Sequence, residues 1–497
     1  MKTIAMYLPQ FHNIPENDAW WGEGYTEWTA VKAGKSYAEG HVQPHIPYKK
    51  NYYNLLEKTV MQWQADLLHK YQIDGLCFYH YYFGNGRKIL EKPAENLLEW
   101  TDIDMPFCFS WANESWIRSW SKFSGNTWNM GCATKEGMDD GILIPQVYGN
   151  KNEWEVHFNY LLPFFLDDRY LKKDGKPIFV IYYPQNIPML SEMVSFWENL
   201  ARKKGLEGLY YIGQKGYSKE CQINIQSEPA YSSSLYQELF HDYEDISEQL
   251  ISNAYFSQKN TAFCGFPGYD DTPRRGEKGT AFLGSSPELF YLQMKYLYYL
   301  GRIRGNEYTF INAWNEWGEG MYLEPDEQFH YAYLEAVYNA KQDSLNISEK
   351  EKQQIISIID RKRKKGICIP EDYEVLQHKA RVLRLINRIL TLEDKGKTIS
   401  QYFEKKYSIA IYGMGVVGKT LTKRLIAENA DIRYAIDKRK IDYLIPVYAP
   451  SYKLPRIDML IVTTVDDYEL IYNEFSGNDN IKRIISVSEL LDSIEET

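Results

Sequence analysis

Cysteine is scarce in this 497-residue chain, with six residues at positions 77, 108, 132, 221, 264 and 368 and no paired spacing among them. A disulfide scaffold is thereby excluded, and no Cys/His run has the ligand spacing of a zinc site. Cys77, Cys108 and Cys264 lie in apolar, strand-like runs, the usual setting of buried free thiols. No stretch approaches the ~18 apolar residues of a membrane span. Met1-Lys2-Thr3 leads directly into a strand, with neither the apolar length nor the cleavage site of a signal peptide. The expectation is a cytoplasmic protein with reduced thiols. A basic excess is missing as well: the net charge of −10 argues against nucleic acid as a partner.

Aromatic residues are abundant, at 15% of the chain with 42 Tyr and 13 Trp. Their apolar faces and polar tips suit sugars, which present apolar ring faces edged by hydroxyls. The most informative segment is Trp314-Asn315-Glu316-Trp317-Gly318-Glu319-Gly320, just after an apolar run. Glycosidic-bond chemistry asks for two carboxylates, one to deliver a proton to the leaving oxygen and one to stay ionised as base or nucleophile. Indole faces that exclude water push two such pKa values apart. The competing reading is a tight surface turn with two solvated acids, which the flanking tryptophans disfavour.

The length implies two or three domains. Residues 1–345 alternate apolar strands with helical patterns. The predicted strands are Thr3–Leu8, Gly75–Tyr82, Pro106–Trp111, Pro177–Tyr183, Leu209–Gly213, Ala230–Ser233, Thr261–Phe266 and Tyr308–Ala313. Continuous apolar strands between helices read as a (β/α)8 TIM-type barrel. Barrel enzymes build their sites at the C-terminal strand ends, and the polar and aromatic residues gather there. Candidate sugar-site residues at these ends are Tyr7, Gln10, Tyr79, His80, Trp111, Asn113, Glu114, Tyr183, Asp270, Arg274, Asn315 and Trp317, with Glu316 and Glu319 catalytic; Trp28, in a motif of the resemblance given below, joins them. His80 also reads as a barrel histidine with satisfied hydrogen bonds, Glu114 as a partner of Arg118, and Asp270 as a partner of Arg274. No ligand cluster for a metal is evident.

Residues 346–405 read as a helical connector. Ser348 and Glu351 form a capping box ahead of Ile355 and Ile359. Arg361-Lys-Arg-Lys-Lys365 suits a helix C-terminus before Gly366; its second reading is peripheral contact with an anionic membrane surface, at ~1 kcal/mol per charge. Residues 406–497 form a small Rossmann-like α/β unit. There Gly413-Met-Gly415-Val-Val-Gly418 lies between a strand and a helix, with Asp437 ending the next strand. Such glycines let a backbone approach a pyrophosphate, and such an acid binds a ribose. The turn would hold a nucleotide or nucleotide sugar, or simply pack helix on strand. Gly413 to Thr420 also fits the P-loop pattern, but no acid immediately follows the strand at 459–463.

Five motifs together resemble one known family: Tyr7-Leu-Pro-Gln-Phe-His12, Trp20-Trp21-Gly-x-Gly-Tyr-Thr-Glu27-Trp28, Phe109-Ser-Trp-Ala-Asn113-Glu114, Phe266-Pro-Gly-Tyr-Asp-Asp-Thr-Pro-Arg274 and Trp314 through Gly320. Over residues 1 to about 340 the chain resembles the WbsX-type polysaccharide-biosynthesis glycosyltransferases, which share a domain similar to glycoside hydrolase family 99. The resemblance implies a (β/α)8 barrel and retaining, α-mannoside-directed chemistry on the N-E-W-x-E-G segment. It assigns Glu316 as base on the substrate 2-hydroxyl, forming a 1,2-anhydro sugar, and Glu319 as acid to the leaving oxygen. The lack of an export signal and the extra C-terminal unit point to cytoplasmic assembly of surface polysaccharide (O-antigen or capsule), at the inner face of the membrane. The barrel chemistry needs no cofactor; the partners are an oligosaccharide or polysaccharide and a nucleotide sugar. Two other classes remain in view: a non-catalytic glycan-binding barrel with a nucleotide-sensing tail, and a redox enzyme using the C-terminal unit.

Overall fold

The computed structural model describes residues 1–117, 142–233, 239–364, 382–383, 385–392, 396–403, 407–439, 441–451, 453–464 and 468–495. Two compact units emerge, Met1–Ile367 and Cys368–Thr497. In the first, parallel strands β1 (Lys2–Tyr7), β2 (Gly75–Tyr82), β3 (Phe107–Trp111), β4 (Lys176–Ile181), β5 (Tyr210–Gly213), β6 (Ile223–Ile225), β7 (Thr261–Gly265) and β8 (Tyr308–Ile311) follow one another around a sheet. Strand β1 pairs with both β2 and β8, so the sheet closes into an eight-stranded parallel barrel surrounded by helices.

The helices follow from local rules. Lys58–Lys70 buries Val60, Met61, Gln64, Ala65, Leu67 and Leu68, a stripe at helical spacing. Pro287–Arg304 starts with Ser286 accepting from Leu289 N–H and Pro287 in its first turn, and ends at Gly305 with φ +76°. Seven predicted strands coincide with observed ones within a residue or two; the sixth does not. Ala230–Ser233 is a turn, in which Tyr231 N–H donates to Ser227 O and Ser233 N–H to Pro229 O. The strand lies earlier, at Ile223–Ile225, a run too short to show its period.

Helix Glu349–Lys364 belongs to the barrel unit, where Glu351 pairs with Lys295 and Lys362 with Asp245. Lys362 is 1% exposed and Arg361 pairs with Glu248, so these two cations of the Arg361–Lys365 cluster are committed to protein partners. Lys365 and Arg118 lie outside the described residues. Among the described residues no helix is long and apolar enough to cross a membrane.

The second unit carries a five-stranded parallel sheet: β9 (Ser408–Tyr412), β10 (Asp431–Ile436), β11 (Val447–Tyr448), β12 (Ile457–Val462) and β13 (Ile481–Ser486), ordered β11-β10-β9-β12-β13. Strand β11, two residues long, was not expected from the pattern.

Candidate active site

Side-chain parity along the strands decides what faces the barrel interior. Ser110 Oγ donates to Gln214 Oε1 at 2.7 Å, and Gln214 Nε2 reaches the Tyr79 hydroxyl at 3.4 Å, so these three groups meet inside. Tyr79, Tyr81, Ala112 and Tyr182 consequently line a cavity of about 630 Å³ at the C-terminal strand ends. Gln10, Glu114, Tyr183, Arg274, Glu316 and Glu319 line it too.

The remaining candidates lie elsewhere. His80 faces outward, hydrogen bonded through Nε2 to His157 Nε2 at 2.9 Å, and burial pushes its pKa down to about 3. Trp111 also faces outward, against His157, with Nε1–H donating to Tyr82 O. Tyr7 points toward helix Lys58–Lys70 and donates to Gln64 Oε1 at 2.8 Å. Each sits one residue out of register with an inward neighbour. Asn113 ties β3 to β4, accepting from Tyr183 N–H at 2.7 Å and donating to Tyr183 O at 2.8 Å. Trp28 packs on Phe11, Tyr53 and Trp317. Asp270 does not pair with Arg274; its carboxylate takes His41, Gln43 Nε2 and Thr272 Oγ1 at 2.6–2.7 Å.

The segment 314–320 is held rigidly. Asn315 accepts from Leu8 N–H at 2.8 Å and donates back to Leu8 O at 3.0 Å, which fixes it to the end of β1. Glu324 is buried and receives Gln64 Nε2, Trp314 Nε1, Trp317 Nε1 and the Tyr53 hydroxyl at 2.7–2.9 Å. Both tryptophans are therefore anchors beneath the cavity. Trp317 also stacks on Tyr322 at 3.7 Å. Gly320, at φ +61°, turns the chain after Glu319.

Arg274 occupies the centre. Its Nε donates to Glu27 at 2.8 Å, one terminal nitrogen to Glu319 at 2.5 Å and the other to Glu316 at 3.0 Å. One cation cannot neutralise three carboxylates, and the burden falls on Glu316. Burial and then Glu319 raise Glu316 to about 8, against the pull of Arg274. The Glu319 side chain is 29% exposed and that of Glu316 9%. The resting site thus holds a proton on Glu316 at neutral pH and presents Glu319 toward solvent.

Sequence reasoning missed several wall residues. Tyr81 and Tyr182 were recoverable by parity from Tyr79 and from β4. Glu228 was hidden by the misplaced sixth strand; it is buried, raised to about 7 by desolvation, and held by Gln226 and Ser232. Glu27 reaches the site only through the fold. Asp271 lines the cavity and binds Arg275 at 2.8 Å. Lys215 lies 4.5 Å over the Tyr182 ring. Among the described residues no group of three or more His, Cys, Asp or Glu could hold a metal ion.

In the second unit Gly413 adopts φ +91°, and Gly415 caps helix Val416–Ala427 facing open space. Gly418 packs so closely on Gly413 O that a Cβ would overlap it. The Asp437 carboxylate accepts from Met414 N–H at 2.7 Å and pairs with Arg439 at 3.0 Å. The expected ribose ligand is thus engaged with the turn itself.

The glycosyltransferase WbsX family model matches residues 3–337. Two curated relatives, both an uncharacterized protein WxcX from strains of Xanthomonas campestris pv. campestris, are 31% identical over 361 residues, covering 68% of this chain and 49% of their own length. The chain thus spans about half the length of the curated relatives it matches. Similar solved structures include the GH99 endo-alpha-mannosidase from Bacteroides thetaiotaomicron, at 16% identity and TM-score 0.42 over 72% of this chain and 98% of that one. A glycoside hydrolase-like protein follows at 12% identity and TM-score 0.42, over 68% and 93%. The match over residues 3–337 shows that this chain belongs to the WbsX glycosyltransferase family.

Proposed function

We propose that the barrel is a carbohydrate-active enzyme that breaks or transfers a glycosidic bond through Glu316 and Glu319, acting on an α-mannoside-like glycan in surface-polysaccharide assembly. The observation that carries this reading is the pair itself: two carboxylates of unequal burial, bridged by one guanidinium, in an aromatic-walled cavity. Glu316 takes the proton of the substrate 2-hydroxyl as that oxygen attacks the anomeric carbon. Glu319 gives its proton to the departing oxygen as the glycosidic bond breaks. Water or an acceptor hydroxyl then attacks the anomeric carbon, returning a proton to Glu319, and the 2-oxygen recovers its proton from Glu316. A base with a pKa of about 8 is strong enough for a sugar hydroxyl once its resting proton has passed to Glu319, which then holds the proton that the departing oxygen takes.

This order of roles has a clear signature. A good leaving group should restore turnover to Glu319→Gln and not to Glu316→Gln, whereas kcat/KM falls above a limb near 8 whichever residue is the base, since either order needs one proton on the pair. The cavity carboxylates Glu27, Glu114, Glu228, Asp271, Glu316 and Glu319 outnumber Lys215, Arg274 and Arg275, which favours a neutral sugar over a pyrophosphate there. A nucleotide or nucleotide sugar belongs instead to the Rossmann-like C-terminal unit, at the first turn of helix Val416–Ala427. The working location is the cytoplasmic face of the membrane. Turnover of candidate oligosaccharides by wild type, Glu316→Gln and Glu319→Gln is the test. Undiminished turnover in both variants refutes the catalytic assignment; glycan binding without any turnover in wild type makes the barrel a binding module.

A further inference from the structure

We infer that Glu27 is a positioning residue for the Glu316/Glu319 pair, acting through Arg274, and that Gly318 is the spacer that admits it. The inference rests on the reading of Glu316 and Glu319 as the reacting pair. A guanidinium offers donors on fixed edges of a plane, so a partner on one edge sets where the others point. Glu27 holds the Nε edge at 2.8 Å, leaving the two terminal nitrogens directed at Glu319 and Glu316. Without Glu27, Arg274 can rotate about its side-chain torsions and pair with either carboxylate alone.

Glu27 is placed for this task by the loop after β1. Its amide donates to Gln10 O, and it begins the short helix Glu27–Lys32. The Glu27 side chain is 1% exposed, and Arg274 Nε is the hydrogen-bond donor found on its carboxylate among the described residues. A buried carboxylate is costly unless paired, so Arg274 and Glu27 require each other. Gly318, between the two catalytic positions, faces this contact. A Cβ there would overlap a Glu27 carboxylate oxygen and lie 2.7 Å from Arg274 Nε. Its φ lies outside the left-handed region, so the need for glycine at this point is spatial. Three motifs far apart in sequence, around residues 27, 274 and 318, thereby meet at one guanidinium.

The test reads ionisation directly and needs no substrate. Carboxyl ¹³C resonances are followed from about pH 5 to about pH 10, a range that brackets the ordinary and shifted carboxyl values, with the Glu316 signal assigned by its absence in Glu316→Gln. The charged and titratable groups facing Glu316 are Glu319, Arg274, Glu27, Tyr79 and Tyr81. Glu27→Gln keeps the shape and an acceptor for Nε–H but removes one negative charge. We expect the Glu316 midpoint to fall by about one pH unit, the effect of a single close charge. We expect the Arg274 ¹⁵Nε–H resonance, assigned by Arg274→Lys, to lose its protection from solvent exchange in Glu27→Ala and to keep most of it in Glu27→Gln. Gly318→Ala should disturb the same two signals while leaving the barrel folded by circular dichroism. An unmoved Glu316 midpoint in Glu27→Gln, or an unchanged Arg274 signal in Glu27→Ala, overturns the inference. Because neither signal requires turnover, the absence of any glycan activity would refute the reaction proposed above without touching this result.

Discussion

Replacing Glu316 by glutamine should remove activity and, at alkaline pH, make the barrel more stable. In the native protein the Glu316 carboxyl keeps its proton until about pH 8, whereas in the unfolded chain it ionises near its ordinary value of 4.5. Between those values the native state binds a proton that the unfolded state has lost, so stability falls as pH rises. At ~1.4 kcal/mol per pH unit the loss approaches ~5 kcal/mol by about pH 8 and stays constant above it. In Glu316→Gln the amide side chain is neutral throughout and still offers Arg274 a carbonyl oxygen, so the variant escapes the loss. The assay is thermal unfolding by tryptophan fluorescence, which reports on the barrel unit alone because all 13 Trp lie at or before position 317. For a domain of this size ~1 kcal/mol corresponds to roughly 2 °C. The melting-temperature difference between variant and wild type should therefore be near zero or negative at about pH 5 and rise by several degrees at about pH 9. A difference that does not change with pH would refute the argument, because it would mean that Glu316 ionises alike in both states.

Other predictions follow from single contacts. Glu324→Gln places an amide donor against the indole N–H groups of Trp314 and Trp317 and should cost ~1–3 kcal/mol, read in the same fluorescence melt. Lys362→Met should alter stability without changing sedimentation with anionic vesicles, since Lys362 Nζ is bound to Asp245 at 2.6 Å; weaker vesicle binding would show that this lysine is free. Gly418→Ala should unfold the C-terminal unit, by circular dichroism, while barrel fluorescence and glycan turnover persist, because its Cβ would overlap Gly413 O. Arg274→Lys should depress turnover far more than it depresses the melting temperature, since a lysine cannot hold three carboxylates on separate edges.

The barrel was legible because apolar runs alternating with amphipathic helices allow few other architectures. The Glu316/Glu319 pair stood out for the same local reason: its tryptophans, glycines and spacing all lie within one short segment. Strand β6 was not legible, since Ile223–Ile225 is too short to display a period and Pro229 follows it within a turn. His80, Trp111 and Tyr7 lie at strand ends yet outside the cavity, because proximity in sequence to a strand end does not fix which face a side chain takes. A period of two sends alternate residues to opposite faces, and the choice of face depends on barrel closure.

Composition, strand–helix alternation and the 314–320 segment thus suffice to specify a barrel with a pair of carboxylates after its last strand, since each is a property of neighbouring residues. Which carboxylate carries the proton is not such a property. It depends on Arg274 and Glu27, which arrive from distant loops, and on burial that exists only once the strands have closed. Electrostatic coupling is set by distances through space, and those distances are made by the fold.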